Sequence, residues 1–454
     1  MKLQYIILVL GLFFGVLGVE AQGSKNVKLL DNWFSDTLPT IASSQIRFNE
    51  TWGFEQDGEE YGVLGSNIGA YIFQIKNKQL NYIDFVPGKF QGTLVTHRDY
   101  HDYNGYLYMV ADQGTSSLQI ADLSYLPDSV HVVYDSDAVF QKSHNVFVDT
   151  SSALLYACGP STGNAMEIYS LVDPENPLHI YSYTDVQYVH DIFARNDTAY
   201  LNCGDSGLRV VDFSNPTNPF EIASMDFYQD QGYNHSGWLS PDGKTYIFGD
   251  ETNGKRLKKC DVSDLPNIEI EALFGTNYNT GQIAHNIMID ERFAVVSYYN
   301  EGLRIYDYSL EYPKEIAWYD TWTGSQDPFK FNGAWGIYIF NPSKYILMSD
   351  RQSGLYLFEF DYDFPEITTG DVAVYPNPIS SGDKITFYVS DLDPESYQFE
   401  LIDYNGKIVF SEFTSFNYLF AQPNLKSGIY TYRVTYQNQF NEDQVFVGKI
   451  SVIN

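Results

Sequence analysis

The stretch Gly207–Pro219 reads GLRVVDFSNPTNP. A short run built on Leu208, Val210 and Val211 closes on Asp212-Phe213-Ser214, and Asn-Pro then prevents the strand from continuing. The same pattern recurs along the chain: YIFQIKN with Gln74 in the Asp position, LQIADLSYLP (Asp122), MEIYSLVDPENP (Ser170), LKKCDVSDLP (Asp261), LRIYDYSLEYP (Asp307) and LYLFEFD (Glu359). Neighbouring copies lie 42 residues apart at the closest (Ser170 to Asp212) and 52 at the widest (Asp307 to Glu359). A period in the forties, short apolar runs and no i, i+3, i+4 pattern specify four-stranded propeller blades rather than a helical solenoid. Ser170 and Glu359 replace Asp in two copies, so the position is expected to close a turn.

A second marker keeps step with the first, 22 residues ahead of the Asp position at the closest (Trp52 to Gln74) and 26 at the widest (His144 to Ser170). Its members are Trp52, His97, His144, His190, His235, His285 and Trp335, which gives it five of the eight histidines. The first strand of a propeller blade lines the central channel, and the second returns antiparallel to the same face. The histidines are therefore expected at one channel mouth, with Asp112, Asp205, Asp250, Glu251 and Asp350 from the second-strand ends beside them. His97 and these five carboxylates form the expected ligand face. For a divalent metal such as zinc, iron or manganese, the expected ligands are the consecutive His144, His190, His235 and His285. A slot repeated by every blade also fits an architectural role, with each ring nitrogen bonded to backbone at the inner rim.

The chain resembles the LVIVD-repeat surface propellers of the choice-of-anchor B type over Asn26–Asp363. The resemblance rests on the repeated L-x-I-x-D-x-S-x-x-x-x-P signal, on HNV, VHD and AHN, on GDE at Gly249–Glu251 and on FNGAW at Phe331–Trp335. It implies an all-β, seven-bladed propeller. The last repeat runs out after LYLFEFD, and an open ring would leave sheet edges exposed. Residues 26–33, beginning NVKLLDNW, are thus expected to supply the closing strand of the last blade, within a propeller domain of residues 26–362.

Outside the repeats, Lys2, the apolar run Tyr5–Val19 and Val19-Glu20-Ala21 read as a secretory signal over residues 1–21. No other stretch is long and apolar enough to span a bilayer. Residues 363–371, DFPEITTGD, read as a linker. From residue 372 onward, alternating strands with an Asn405-Gly406 hairpin turn indicate a small β-sandwich. VYPNP, LIDYNGKIV, LKSGIYTYRV and VGKISV make residues 372–454 resemble the type A C-terminal sorting domain of the type IX secretion system. That resemblance implies handling by the type IX machinery and delivery to the outer-membrane surface or the medium.

Composition narrows the function. With 58 acidic and 27 basic residues the formal charge is −31, which disfavours nucleic acid as a partner. The three cysteines, Cys158, Cys203 and Cys260, make no disulfide framework, and Cys158–Cys203 is the one pairing that matching repeat positions suggest. There is no Gly-x-Ser-x-Gly elbow, no His-Glu-x-x-His and no phosphate loop, so no catalytic residue is assigned. The leading expectation is a non-enzymatic surface propeller that binds a surface protein or a glycan. A metal-dependent hydrolase or lyase at the histidine-lined mouth, and a purely structural envelope component, are the alternatives.

Overall fold

In the computed structural model, the described residues are 23–453 apart from 277–281, 291, 311, 325–329, 361–371, 376, 381–384, 390–396, 415–417, 422 and 438–442. The expected signal segment and linker lie outside them. The stretch that opened the sequence forms strand Leu208–Asp212, the third of a four-stranded antiparallel blade, paired to Thr198–Asn202 and Phe220–Met225. The Asp212 carboxylate ends the strand by accepting the Ser214 backbone N–H at 2.6 Å. Asp122, Asp261 and Asp307 do the same for Ser124, Ser263 and Ser309, and Ser170 uses its hydroxyl for Val172. This Asx-type turn is the physical content of the repeated Asp. Gly207 is also required: its φ is +75°, and a Cβ there would lie 2.1 Å from the Met225 carbonyl oxygen. Gly302 and Gly354 repeat the device against Tyr319 and Trp33.

Seven such sheets form the propeller, which is one of two compact units, the other being residues 362–454. The first strands of the blades are Phe48–Gln56, Arg98–Tyr103, Asn145–Asp149, Asp191–Arg195, Asn234–Leu239, Ala284–Ile289 and Ala334–Ile339. Each touches the next in an unbroken cycle that returns from the seventh to the first. Val27–Trp33 pairs antiparallel with Gly354–Phe360 and is the fourth strand of blade 7. Trp33 locks this closure by packing its ring on Phe48, Tyr71 and Phe73 of blade 1. Ser24–Lys25 adds a short fifth strand to blade 6. Between blades the strand faces bury aromatic and branched side chains, as where Tyr200 stacks on Tyr246 with centroids 4.6 Å apart. The three cysteines are free and buried in these layers, and the Cys158–Cys203 bridge does not form.

The second unit is a two-layer sandwich. Val372–Tyr375, Ile385–Val389 and Tyr418–Ala421 form one sheet; Ile379–Ser380, Asp443–Ile453, Gly428–Gln437, Tyr397–Ile402 and Ile408–Thr414 form the other. Ile385, Phe387 and Leu419 of the first meet Phe399, Leu401, Val434 and Ile450 of the second in one core. Asn377 of the YPNP motif clips to the last strand, donating to Lys449 O at 3.0 Å and accepting the Ser451 N–H at 2.9 Å.

Candidate functional site

The histidine slot is a closed ring. His97, His144, His190, His235 and His285 follow one another with ring centroids 4.1, 4.2, 4.3 and 4.4 Å apart. Trp335 continues the series 4.2 Å from His285 and returns to His97 at 5.8 Å. Arg351 covers the Trp335 ring at 4.2 Å. The slot in blade 1 holds Asn49, not Trp52. Register places Phe48 opposite Ser66 and Thr51 opposite Leu64, as Ala334 lies opposite Asp350 and Ile337 opposite Met348. Trp52 sits further down the strand, where it packs 4.4 Å from His101 and donates its ring N–H to Asp102.

The ring nitrogens do not share one fate. Nδ1 of His235 lies 3.1 Å from the His285 carbonyl oxygen, and Nδ1 of His285 lies 3.0 Å from that of Trp335. A carbonyl only accepts, so both Nδ1 atoms carry hydrogen. His144 Nδ1 instead meets Asp112 Oδ2 at 3.1 Å. Nδ1 of His97 and of His190 are buried with no hydrogen-bond partner. Burial, reinforced by neighbouring imidazoles, pushes His97, His190 and His285 well below the usual histidine range and lowers His235 as well. These four rings are neutral at pH 7.

The expected carboxylates divide. Glu251 enters the ring: its Oε2 lies 3.8 Å from His235 Nε2, and its other oxygen accepts the Tyr299 hydroxyl. Asp112 joins through His144 and pairs with Lys142 at 3.2 Å. Asp205 is exposed. Two placements are corrected. Asp250 is spent on Lys258 at 2.6 Å, the Tyr228 hydroxyl at 2.8 Å and the Gly232 N–H at 2.6 Å, wholly buried. Asp350 is wholly buried and accepts from Gln352 N–H, Ser353 N–H and the Thr321 hydroxyl. Both hold turns together. Among the described residues, the one group of His, Cys, Asp or Glu whose ligand atoms all lie within 4.8 Å is His190, His235 and Glu251.

Two cavities adjoin the ring. One, about 50 Å³, lies one step along the channel and is lined by Glu50, Asp99 and Asp191 with Asn145, Ser236 and Asn286. These carboxyls escaped the sequence reading because it sought acidic side chains at the ends of the second strands, and alternation turned away only Asp191, the residue directly after His190. A register shift at the slot in blade 1, shared with blades 5, 6 and 7, accompanies the inward turn of Glu50, whereas Asp99 lies two residues past His97 and Asp191 directly follows His190 on strands whose pairing runs without a shift. Gly336 makes the space, since a Cβ there would lie 1.8 Å from Glu50 Oε1. Burial and mutual repulsion raise Glu50 and Asp99 well above the carboxylate range, and burial lifts Asp191 to about 7. The second cavity is an open cleft of about 410 Å³ between blades 2 and 3, lined by Phe90, Leu94, Asp112, Gln113, Lys142 and Ser161 among others.

These features define a seven-bladed propeller joined to a sandwich tail. Residues 373–448 match the secretion system C-terminal sorting domain. That tail is the signal by which type IX secretion machinery handles a chain, and it sends this protein to the cell surface or the extracellular space. Among the described residues no helix is long and apolar enough to cross a membrane. No curated protein matches the chain. Among solved structures, U3-55K is 9% identical with a TM-score of 0.51, over 74% of this chain and 99% of that one. The β-propeller domain of Myceliophthora thermophila Cps50 (Swd1) is 11% identical with a TM-score of 0.51, over 73% and 98%. PorZ of Porphyromonas gingivalis, described as a bacterial surface component of the type IX secretion system, is 10% identical with a TM-score of 0.48, over 89% of this chain. The chain spans 59% of that protein's length. The likeness is one of fold.

Proposed function

We propose that this protein is a non-enzymatic binding propeller, exported by the type IX route, that holds a sugar unit of a glycan in the cleft between blades 2 and 3. The cleft carries the reading. Its volume of about 410 Å³ falls within the range of small-ligand sites. Leu94 stands 70% exposed on one side and supplies an apolar wall. Phe90, Gln113, Gln141, Lys142, Asp112 and Ser161 surround it with one ring, two amides, a cation, a carboxylate and a hydroxyl. An apolar face rimmed by fixed donors and acceptors suits a sugar ring, whose C–H face packs while its hydroxyls bond. The LVIVD-type repeat and the FNGAW segment support a surface propeller of the choice-of-anchor B kind.

The test is a glycan array probed with the mature chain, beside Gln141→Ala and Gly114→Ala. Gly114 has φ +70°, and a Cβ there would lie 2.3 Å from the Phe90 ring, so the variant must shift Phe90 in the cleft wall. Binding to a restricted set of glycans, weakened about tenfold (about 1.4 kcal/mol) or more by either variant, is the expected result. An array without hits, or hits that ignore both variants, overturns the reading.

A further inference from the structure

We propose that His190, His235 and Glu251 form a binding site for one divalent first-row transition metal ion at the channel mouth. Their ligand atoms lie within 4.8 Å of one another, close enough for one ion to reach all three. Two imidazoles and a carboxylate are the donor set such ions take, and three protein ligands leave a coordination position open. Calcium and magnesium prefer all-oxygen sites, so the imidazoles select against them.

Two independent observations point to a cation site rather than to finished architecture. His235 Nδ1 carries hydrogen toward the His285 carbonyl, so Nε2 is the ring nitrogen whose lone pair can serve a metal. His235 Nε2 lies 3.8 Å from Glu251 Oε2, a separation that one ion coordinated by both atoms would bridge. Secondly, His190 is only 8% exposed, yet its Nδ1 has no partner. A buried polar atom left unmatched is uncommon and costly.

The surroundings also match a metal centre. The His285 carbonyl fixes the tautomer of His235, and the Tyr299 hydroxyl holds the second oxygen of Glu251, the outer-shell support that metal ligands receive. Selectivity within the ring follows from distance. His144 and His285 do not belong to the group whose ligand atoms converge within 4.8 Å. The four consecutive histidines expected from sequence thus give way to two, with Glu251 completing the set. This site shares only the mouth with the cleft of blades 2 and 3. Metal binding without glycan binding removes the proposed function alone, and the reverse removes this inference alone.

The experiment uses the mature chain produced without a polyhistidine tag and stripped with chelator. Zn2+ is titrated by calorimetry, and Co2+ by its visible d–d absorption. One equivalent per chain is expected. His190→Ala and Glu251→Gln should each weaken binding about 100-fold or more, Tyr299→Phe about tenfold, and His97→Ala should leave the stoichiometry intact. Glu251→Gln preserves side-chain size, so it decides the matter if His190→Ala does not fold. No saturable binding to the unaltered chain, or equal affinity in the folded Glu251→Gln variant, overturns the proposal.

Discussion

Lys258→Met should destabilise the propeller by about 3–5 kcal/mol, the usual consequence of leaving one member of a buried ion pair alone. The geometry makes the estimate specific. Lys258 Nζ and Asp250 Oδ2 are 2.6 Å apart and both side chains are fully buried. After the substitution the carboxylate keeps the Tyr228 hydroxyl and the Gly232 N–H but has no positive partner. The ammonium also loses its places over the rings of Tyr228 and Phe248, 5.5 and 5.8 Å away. Asp250→Asn in the same chain removes the stranded charge while retaining an oxygen for those donors, and should recover more than half of the loss. At roughly 2 °C per kcal/mol for a domain this large, calorimetry should show Lys258→Met melting about 6–10 °C low and the double variant between it and the parent. Melting within about 2 °C of the parent, or a double variant less stable than the single one, would refute this reasoning. The pair also anchors the strand end that presents Glu251, so its loss should weaken Co2+ binding as well.

Three further outcomes are expected. Gly207→Ala, which must hold φ +75° with its new methyl against the Met225 carbonyl, should cost at least about 2 kcal/mol of propeller stability by calorimetry, whereas Gly105→Ala (φ +81° but open space) should cost only about 1–2 kcal/mol. Glu50 has its folded pKa raised by burial, so its contribution to stability is present in acid and is lost as pH climbs through that raised value. Glu50→Gln should therefore melt higher than the parent at pH 8 and lose that advantage toward pH 4, and parallel pH profiles would contradict this. Asn377→Ala deletes two hydrogen bonds to the last strand, about 1–3 kcal/mol, and should speed amide exchange at Ser451 without altering the propeller's melting.

How much of this was legible before any coordinates is a question of range. The blades were, because the Asp position closes its own turn within two residues and Gly207 is demanded by a neighbouring strand of the same blade. The histidine ring was legible as a set, since a slot repeated at the blade period must face one axis. Its internal division was not: it depends on cross-blade contacts such as His235 with the His285 carbonyl, whose partners lie 50 residues apart. Trp52 was misplaced because TWGF mimics AWGI, while the strand register puts Asn49 in the slot. Glu50, Asp99 and Asp191 went unseen because carboxylates were sought at the second-strand ends, while these three come from first strands, Glu50 at a register shift and Asp99 and Asp191 on strands paired without one. Asp250 and Glu251 are adjacent in sequence and equal in charge. Only the fully buried Lys258 distinguishes the structural carboxylate from the one free to face the ring.

The account stands most directly on where a metal ion settles. Crystals of the mature chain soaked in Co2+, with anomalous differences measured on both sides of the cobalt absorption edge, should show one strong peak within coordination distance of His190, His235 and Glu251. A dominant peak elsewhere in the ring, or density there unchanged across the edge, would contradict it.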